Sequence, residues 1–314
     1  MSRLFLFPRR VTEPLSPSRK AVRYAAIVGL AVLVGLGGRS LAWRTIAFRG
    51  VEPITTVRAG GSLLLCGGGK TPEEVRSRFL DLAGGTRSRI VVIPTASAAA
   101  DFPSADRRFL APWRDRGAGT VTLLHTRSRD RSGHPDFLKP LTEATGVWID
   151  GGSQSVLAET YGQTEVERQL KALLARGGVI GGTSAGAAIM TRVMIQNGRT
   201  EATVGRGFDL LPDAVVDQHF LRRKRMDRLV DLMAKNPGLL GFGIDEQTAL
   251  LVQGNRLSVL GSSYVVAVLP ALKDRPSRIE FLHRGDETDL ASLRSPSPQI
   301  IETLDLDAVL ASDD

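Results

Sequence analysis

The sequence has few of the residues that build disulfide frameworks and zinc sites. Among its 314 residues, one is a cysteine, Cys66, and four are histidines. One cysteine excludes an intrachain disulfide and a cysteine-based zinc site. With 42% hydrophobic and 24% charged residues, the composition also argues against a largely disordered, collagen-like or polytopic membrane chain. What is present is a chain long enough to bury the core of a large α/β domain.

Basic charge is concentrated at the N-terminus. The formal net charge is +8, from 41 lysines and arginines against 33 aspartates and glutamates. Ten of the basic residues but only two of the acidic ones lie within residues 1–60, which leaves 31 of each sign in residues 61–314. A formally neutral body argues against binding to nucleic acid, which requires a basic surface.

Residues 24–38 form an uncharged apolar run directly after the basic segment 1–23. Its 15 residues lie between the length of a signal-peptide core and that of a membrane span, so a retained anchor and a cleaved signal both remain open. A buried core helix is the third interpretation, which the lack of a polar face disfavours. The basic residues before the run predict a cytoplasmic N-terminus. We therefore expect a membrane-anchored or exported protein, with a linker at 39–60 leading to an extracytoplasmic domain.

From Gly61 onward, short aliphatic runs alternate with longer amphipathic segments. This pattern is typical of an α/β protein with a mostly parallel central sheet and helices on both faces. The predicted strands of this part are Ser62–Cys66, Arg89–Ile93, Thr120–Leu124, Gly146–Ile149, Gly178–Ile180 and Ala214–Val216. Three C-terminal strands, Thr248–Val252, Arg256–Leu260 and Tyr264–Val268, predict an antiparallel meander. The sequence thus predicts a flavodoxin-like catalytic domain over residues 61–285 and an acidic tail over residues 286–314.

Two glycine-rich loops follow predicted strands, at the sheet edge where ligands of such proteins collect. The loop of residues 67–69 does not have the spacing of a phosphate-binding loop, and we interpret it as a strand-to-helix turn near the catalytic edge. Cys66, just before it, is interpreted as a small core residue. In the second loop, the backbone of Gly151 and Gly152 can face an oxyanion and Gln154 can donate to a substrate. A simple turn explains the second loop equally well.

A third loop contains the pattern Gly-x-Ser-x-Gly, at Gly182, Ser184 and Gly186. An apolar strand precedes it and an alanine-rich, helix-forming stretch follows it. A nucleophile elbow needs this context, because small neighbours allow a strained serine to protrude at a helix N-terminus. We interpret Ser184 as a nucleophile, with a structural glycine turn as the alternative.

A serine nucleophile requires an imidazole to accept its proton. Of the four histidines, only His219 follows a predicted strand downstream of Ser184. Arg222, Arg225 and Arg228 follow at intervals of three residues, which predicts a cationic helical face. This face is either solvated or recognises a substrate carboxylate.

The acid that orients His219 is sought between the serine and the histidine. The acidic residues in this interval are Glu201, Asp209, Asp213 and Asp217. Asp217 is too close to His219 in sequence, because neighbouring strand residues point to opposite faces. We select Glu201 as the acid, with Asp209 as the second candidate.

These loops resemble the cyanophycinase-like serine peptidases of peptidase family S51, relatives of aspartyl dipeptidase with a class I glutamine-amidotransferase-like fold. The similarity extends from about Gly61 to Val268. The segments that carry it are Gly182-Thr183-Ser184-Ala185-Gly186, Asp217-Gln218-His219-Phe220 with Arg225-Met226 and Arg228-Leu229, and Gly243-Ile244-Asp245-Glu246-Gln247-Thr248-Ala249. Family positions that line the substrate pocket correspond to Gln154, Gln218 and Arg228.

The resemblance implies a serine exopeptidase that cleaves aspartyl peptide bonds. Its expected substrate is cyanophycin or another aspartyl peptide, with β-aspartyl-arginine as the product from cyanophycin. Ser184 attacks, His219 transfers the proton and Glu201 holds His219 in this interpretation. The backbone N–H groups of Ala185 and Gly152 receive the oxyanion. No metal or cofactor is expected.

Ser153 departs from the family pattern, in which Gly-Gly-Asp-Gln usually stands where this chain has Gly-Gly-Ser-Gln. Loss of this acid puts recognition of an arginine side chain in question but leaves the chemistry unchanged. Two alternatives within the hydrolases are another S51-type aspartyl dipeptidase and an esterase. An alternative of a different class is a non-catalytic, membrane-tethered protein that binds a small molecule. The oligomeric state is open, with a homodimer as one option.

Overall fold

The computed structural model describes residues 60–271 and 276–294. The predicted basic segment 1–23, the apolar run 24–38 and residues 39–59 of the linker lie outside these residues. Among the helices of the described part, none is long and apolar enough to cross a membrane.

The central sheet combines a parallel half and an antiparallel half. Its eight strands have the order β14-β11-β10-β1-β5-β4-β2-β3. The parallel strands are β1 (Ser62–Cys66), β2 (Arg89–Ile93), β3 (Thr120–Leu123), β4 (Gly146–Ile149) and β5 (Val179–Thr183). Antiparallel to these or to each other are β10 (Thr248–Gln253), β11 (Arg256–Gly261) and β14 (Glu287–Asp289). The predicted fold class, including antiparallel C-terminal strands, is confirmed.

Helices cover both faces of this sheet. On one face lie α1 (Glu73–Leu82) and α2 (Ala105–Arg114), packed against Trp148 and the alternate strand residues Leu64 and Val92. The other face is covered by α3 (Pro135–Glu143), α4 (Gln154–Tyr161), α5 (Glu165–Ala175) and the short α6 (Ala185–Ala188). Because both faces are buried, the inner parallel strands β1, β2 and β4 are largely continuous apolar runs, whereas the edge strand β3 alternates.

A second sheet of four strands has the order β13-β12-β9-β8. Its strands are β8 (Ala214–Gln218), β9 (Leu240–Ile244), β12 (Val265–Leu269) and β13 (Arg278–Leu282). One face joins the main core, and α7 (Met226–Lys235) covers the other. β8 and β9 are parallel, and Gln218 is paired with Ile244 at their carboxyl ends. The loops after these two strands therefore lie side by side.

The predicted antiparallel meander is wrong in its third strand. β10 and β11 pair as expected, but β12 pairs with β9 and β13 in the second sheet. The burial pattern explains the difference. β11 alternates between buried and more accessible residues, whereas all five residues of β12 are buried and need a covered sheet on both sides.

Two further elements differ from the sequence prediction. An unpredicted hairpin forms from β6 (Val193–Asn197) and β7 (Thr203–Arg206). Residues 287–294, predicted as the beginning of the acidic tail, form β14 and α8 (Leu290–Arg294). This end of the chain is held by Leu290 and Leu293, which are buried in the main core.

Candidate active site

Ser184 occupies a sharp turn between β5 and α6. Its backbone has φ 53° and ψ −112°, a conformation that costs about 1–3 kcal/mol and persists only where the surroundings enforce it. Gly186 makes the turn feasible, because a Cβ there would lie 2.0 Å from the Ile149 carbonyl oxygen. The strand, strained serine and helix are arranged as in a nucleophile elbow.

His219 follows the last residue of β8 and points its imidazole at Ser184. Its Nε2 lies 2.9 Å from Ser184 Oγ, within hydrogen-bond distance. The His219 N–H donates to the Gly67 carbonyl at 2.7 Å, which ties the histidine to the first glycine loop. Gly68 packs flat against the ring, and a Cβ at this position would lie 2.3 Å from Cε1. The turn predicted at residues 67–69 therefore forms one wall of the site.

Glu246, rather than Glu201, is the acid in contact with His219. Its Oε1 lies 2.5 Å from His219 Nδ1. The predicted Glu201 lies beyond β6, where its side chain is 81% exposed and pairs with Lys235 at 2.9 Å. The second candidate, Asp209, faces Arg192 at 4.0 Å. Both predictions for the acid are corrected by the structure.

The pairing of β8 with β9 explains why Glu246 reaches the histidine. Glu246 follows β9 by two residues, and His219 follows the neighbouring β8 directly. Asp245 fixes the relative position of the two loops, because it accepts the Arg222 N–H at 2.9 Å and the Ser263 hydroxyl at 2.8 Å. A search limited to acids between the serine and the histidine could not find Glu246. The available signal was the pair of acids Asp245-Glu246 directly after an apolar run, within a segment already matched to the family.

The predicted oxyanion donors lie on both sides of the serine. The Ala185 N–H is at the start of α6 and has no hydrogen-bond partner among the described residues. In the second glycine loop, Gly151 is the residue that packs against Ser184, since a Cβ there would lie 3.3 Å from Ser184 Cβ. Gly152 is the next residue of the same turn and faces the Ala96 carbonyl. The oxyanion role of the Ala185 and Gly152 N–H groups stays a prediction.

Two predicted pocket residues bind the β6–β7 hairpin instead of being free. Gln154 donates through its amide to the Ile195 and Gln196 carbonyls, at 2.8 and 2.9 Å. Arg228 donates to both carboxylate oxygens of Asp217 and to the Gly198 carbonyl. Within the protein, these side chains position the hairpin beside the site.

A buried aspartate partly neutralises the predicted cationic face. Asp217 is buried and pairs with both Arg225 and Arg228, while α7 begins only at Met226, so the arginines do not share one helical face. Burial is the main cause that lowers the pKa of Arg225 to about 10. Its guanidinium also contacts the side-chain oxygen of Gln218, the third predicted pocket residue, at 3.0 Å. Arg228 is thus a buried salt-bridge partner rather than a solvated charge.

The Cys66 thiol does not contribute to this geometry. Burial raises the pKa of Cys66 to about 12, and the side chain packs in the core as predicted. Within the described residues, no group of three or more histidines, cysteines or acids is arranged as a metal site.

Comparison with known proteins identifies the family. The model of peptidase family S51 matches residues 63–260 of the chain. The chain belongs to peptidase family S51. It is 33% identical over 234 residues to a cyanophycinase of Synechococcus elongatus, covering 70% of this chain and 72% of that protein. A cyanophycinase of Geminocystis herdmanii is 32% identical, over 66% of this chain and 80% of that protein.

A solved structure supports the fold of this S51 chain. It is a peptidase from an acI-B1 actinobacterium, and it matches with a TM-score of 0.56 at 24% identity. The match covers 74% of this chain and 98% of that structure. This likeness shows that the two proteins share a fold.

The pH dependence of this S51 site follows from the environment of His219. Burial lowers the pKa of His219 below its usual 6.5. The hydrogen bond that the ring donates to the Glu246 carboxylate raises this pKa, and the charges of Arg223 and Arg225 lower it further. Only the neutral imidazole accepts the serine proton, so reactivity is lost as the pH falls through this pKa. We expect the rate at which a neutral fluorophosphonate labels Ser184 to fall to half of its maximum at a pH below 6.5. A midpoint above pH 6.5 would contradict the assignment of His219 as the base.

Proposed function

We propose that this protein is a serine exopeptidase that hydrolyses aspartyl peptide bonds, releasing β-aspartyl-arginine from cyanophycin. The observation that carries this proposal is the hydrogen-bonded series from Ser184 Oγ through His219 to Glu246. Such a series is the arrangement in which a serine becomes a nucleophile at neutral pH. The names of the cyanophycinase relatives support the choice of substrate.

In the proposed reaction, Ser184 Oγ attacks the carbonyl carbon of the aspartyl peptide bond while His219 Nε2 accepts the hydroxyl proton. The Ala185 and Gly152 N–H groups stabilise the oxyanion of the tetrahedral intermediate. His219 then protonates the leaving amine, and the C–N bond breaks to give an acyl-enzyme. Water, deprotonated by His219, attacks the ester and releases the acid and Ser184. Glu246 holds the imidazole in the required tautomer and stabilises its protonated form.

Recognition of the arginine side chain on the aspartyl unit requires a separate explanation. Ser153, which stands where the family usually carries an acid, is exposed at the beginning of α4. A serine hydroxyl cannot form an ion pair with a guanidinium. The preference for arginine on the aspartyl unit therefore has to come from other groups, whereas recognition of the aspartyl unit itself does not depend on this position.

A substrate panel tests the proposal. Purified full-length protein is given cyanophycin, α- and β-linked aspartyl dipeptides, matched alanyl dipeptides and a simple ester. We expect kcat/KM for the best aspartyl substrate to exceed that of its alanyl counterpart by at least about tenfold, because pocket groups that bind the carboxylate lose their partner. Turnover of the ester alone would instead support an esterase. Folded protein that a fluorophosphonate does not label would support a non-catalytic binding protein.

A further inference from the structure

A charged groove runs between α1 and α2, on the opposite side of the sheet from the hairpin. It consists of two adjoining cavities of about 540 Å³ and 230 Å³. Both cavities are lined by Arg76 of α1 and by Arg108 and Pro112 of α2. We call the two cavities together the α1–α2 groove.

The α1–α2 groove reaches the catalytic groups at two points. The smaller cavity is bounded by Gly151, which packs against Ser184. The larger cavity is bounded by Gln247, the residue after Glu246, whose N–H donates to the Gly68 carbonyl at 3.0 Å. A peptide whose scissile bond lies at Ser184 is therefore within reach of the groove.

The two arginines shared by the cavities have no hydrogen-bond acceptor among the described residues, although both interact with the charge of Asp150. Arg116, also at the groove, is paired with Glu73, but neither Arg76 nor Arg108 forms a hydrogen bond or an ion pair with any of the described residues. Arg76 lies 5.7 Å from the centre of the Trp113 ring, and Arg108 lies at the same distance from Phe109. A contact with an aromatic ring face does not use the N–H groups of a guanidinium, so these donors can still bind a ligand in the groove.

Arg76 is partly buried and Arg108 is exposed, and a guanidinium without a hydrogen-bond acceptor can bind a planar anion. Arginine binds carboxylates through two parallel hydrogen bonds, and such charge-assisted bonds are about twice as strong as neutral ones. Burial is the main cause that lowers the pKa of Arg76, and Arg116 lowers it further, while Asp150 and Glu73 raise it. Asp150, at the end of the groove beside Gly151, limits the positions that an anion can take.

We infer that the α1–α2 groove is a carboxylate-binding subsite, in which Arg76 and Arg108 bind a carboxylate of an extended acidic peptide while its scissile bond lies at Ser184. The inference rests on the proposed peptidase function and extends it. The enzyme recognises more than the two residues next to the cleaved bond. Asp150 repels a second carboxylate near the nucleophile and so favours one placement of the peptide.

The test measures binding separately from catalysis. Tri-aspartate is titrated calorimetrically into full-length Ser184→Ala protein and into the same protein with Arg76→Gln, Arg108→Gln, Asp150→Asn or Arg107→Gln. Arg107 is the matched control, since it is an exposed arginine of α2 that lines neither cavity. We expect about tenfold weaker binding for the Arg76 and Arg108 variants, the order of one charge-assisted hydrogen bond. Binding is expected to be tighter for Asp150→Asn and unchanged for Arg107→Gln.

The outcomes separate the subsite from the proposed function. Equal losses in the Arg76 and Arg107 variants would overturn the subsite, because they would indicate a general effect of net charge. The subsite is also overturned if the enzyme cleaves aspartyl peptides but Arg76→Gln leaves KM for tri-aspartate unchanged. If tri-aspartate binds through Arg76 but no aspartyl peptide is cleaved, the subsite stands and the proposed function fails.

Discussion

Replacement of Ser184 with alanine is expected to lower kcat/KM for aspartyl peptides by about 10³-fold or more. The substitution removes the oxygen that forms the covalent bond, while the Ala185 and Gly152 donors and the pocket remain, so only the catalysis that these provide survives. The turn imposes a positive φ at this position, and alanine and serine both carry a Cβ. We therefore expect the same backbone strain in the variant as in the wild type. Initial rates on the best substrate of the panel measure the effect.

A matched control separates loss of the nucleophile from damage to the fold. Ser155 lies on α4, one residue after Gln154, and forms no hydrogen bond through its hydroxyl among the described residues. Ser155→Ala is expected to retain the wild-type rate within about twofold, because surface substitutions of this kind change stability little. Thermal unfolding of both variants checks that they are folded. Wild-type rates in folded Ser184→Ala protein would refute the nucleophile assignment and with it the proposed mechanism.

Replacement of Glu246 with glutamine is expected to lower kcat by about 10²–10⁴-fold. A neutral amide no longer stabilises the imidazolium that forms when His219 takes the serine proton, and it permits the unproductive tautomer. Because Glu246 raises the pKa of His219, its removal also moves the acid limb of the residual activity to lower pH. Steady-state rates measured across the acid limb test both effects together.

Glu201→Gln is the comparison that decides between the two acids. Glu201 is exposed and contacts only Lys235 among its charged neighbours, so this variant is expected to differ from wild type by less than about twofold. The two substitutions remove the same charge and have the same size. If Glu201→Gln impaired catalysis as strongly as Glu246→Gln, the arrangement of His219 and Glu246 described above would not be the catalytic one.

The parallel part of the fold could be predicted because its signals are local. β1, β2 and β4 begin and end at the predicted residues, since each is a short apolar run bounded by glycine or polar residues. β5 extends three residues beyond its predicted end, through Gly181, Gly182 and Thr183. Glycine has a low strand propensity, and only pairing with β1 and β4 holds this segment extended.

The antiparallel parts were less accessible to sequence reasoning. Spacing between strands predicts that two strands are neighbours along the chain, but it does not determine which sheet a strand joins. β12 joins β9, which comes earlier in the chain and was not predicted, and the β6–β7 hairpin is held by Gln154 and Arg228 from distant elements. These long-range contacts are invisible to a local pattern. The internal hydrogen bonds of Gln154 and Arg228 were likewise not indicated by any local pattern, and the role of these two residues toward a substrate stays a prediction.

The local turn that carries the nucleophile and the position of the base could be predicted from the sequence. Small residues around Ser184 and an apolar strand before His219 are sufficient to predict an elbow and a loop-edge histidine. The acid that contacts the base could be identified only from the fold, because its position depends on the register of two parallel strands. The pairing of Gln218 with Ile244 places Glu246 beside His219. Glu201 lies in the turn between β6 and β7, where its side chain is exposed to solvent. The hydrogen bond between His219 and Glu246 depends on which strands pair and in which register, and the number of residues between them in the sequence does not indicate this pairing.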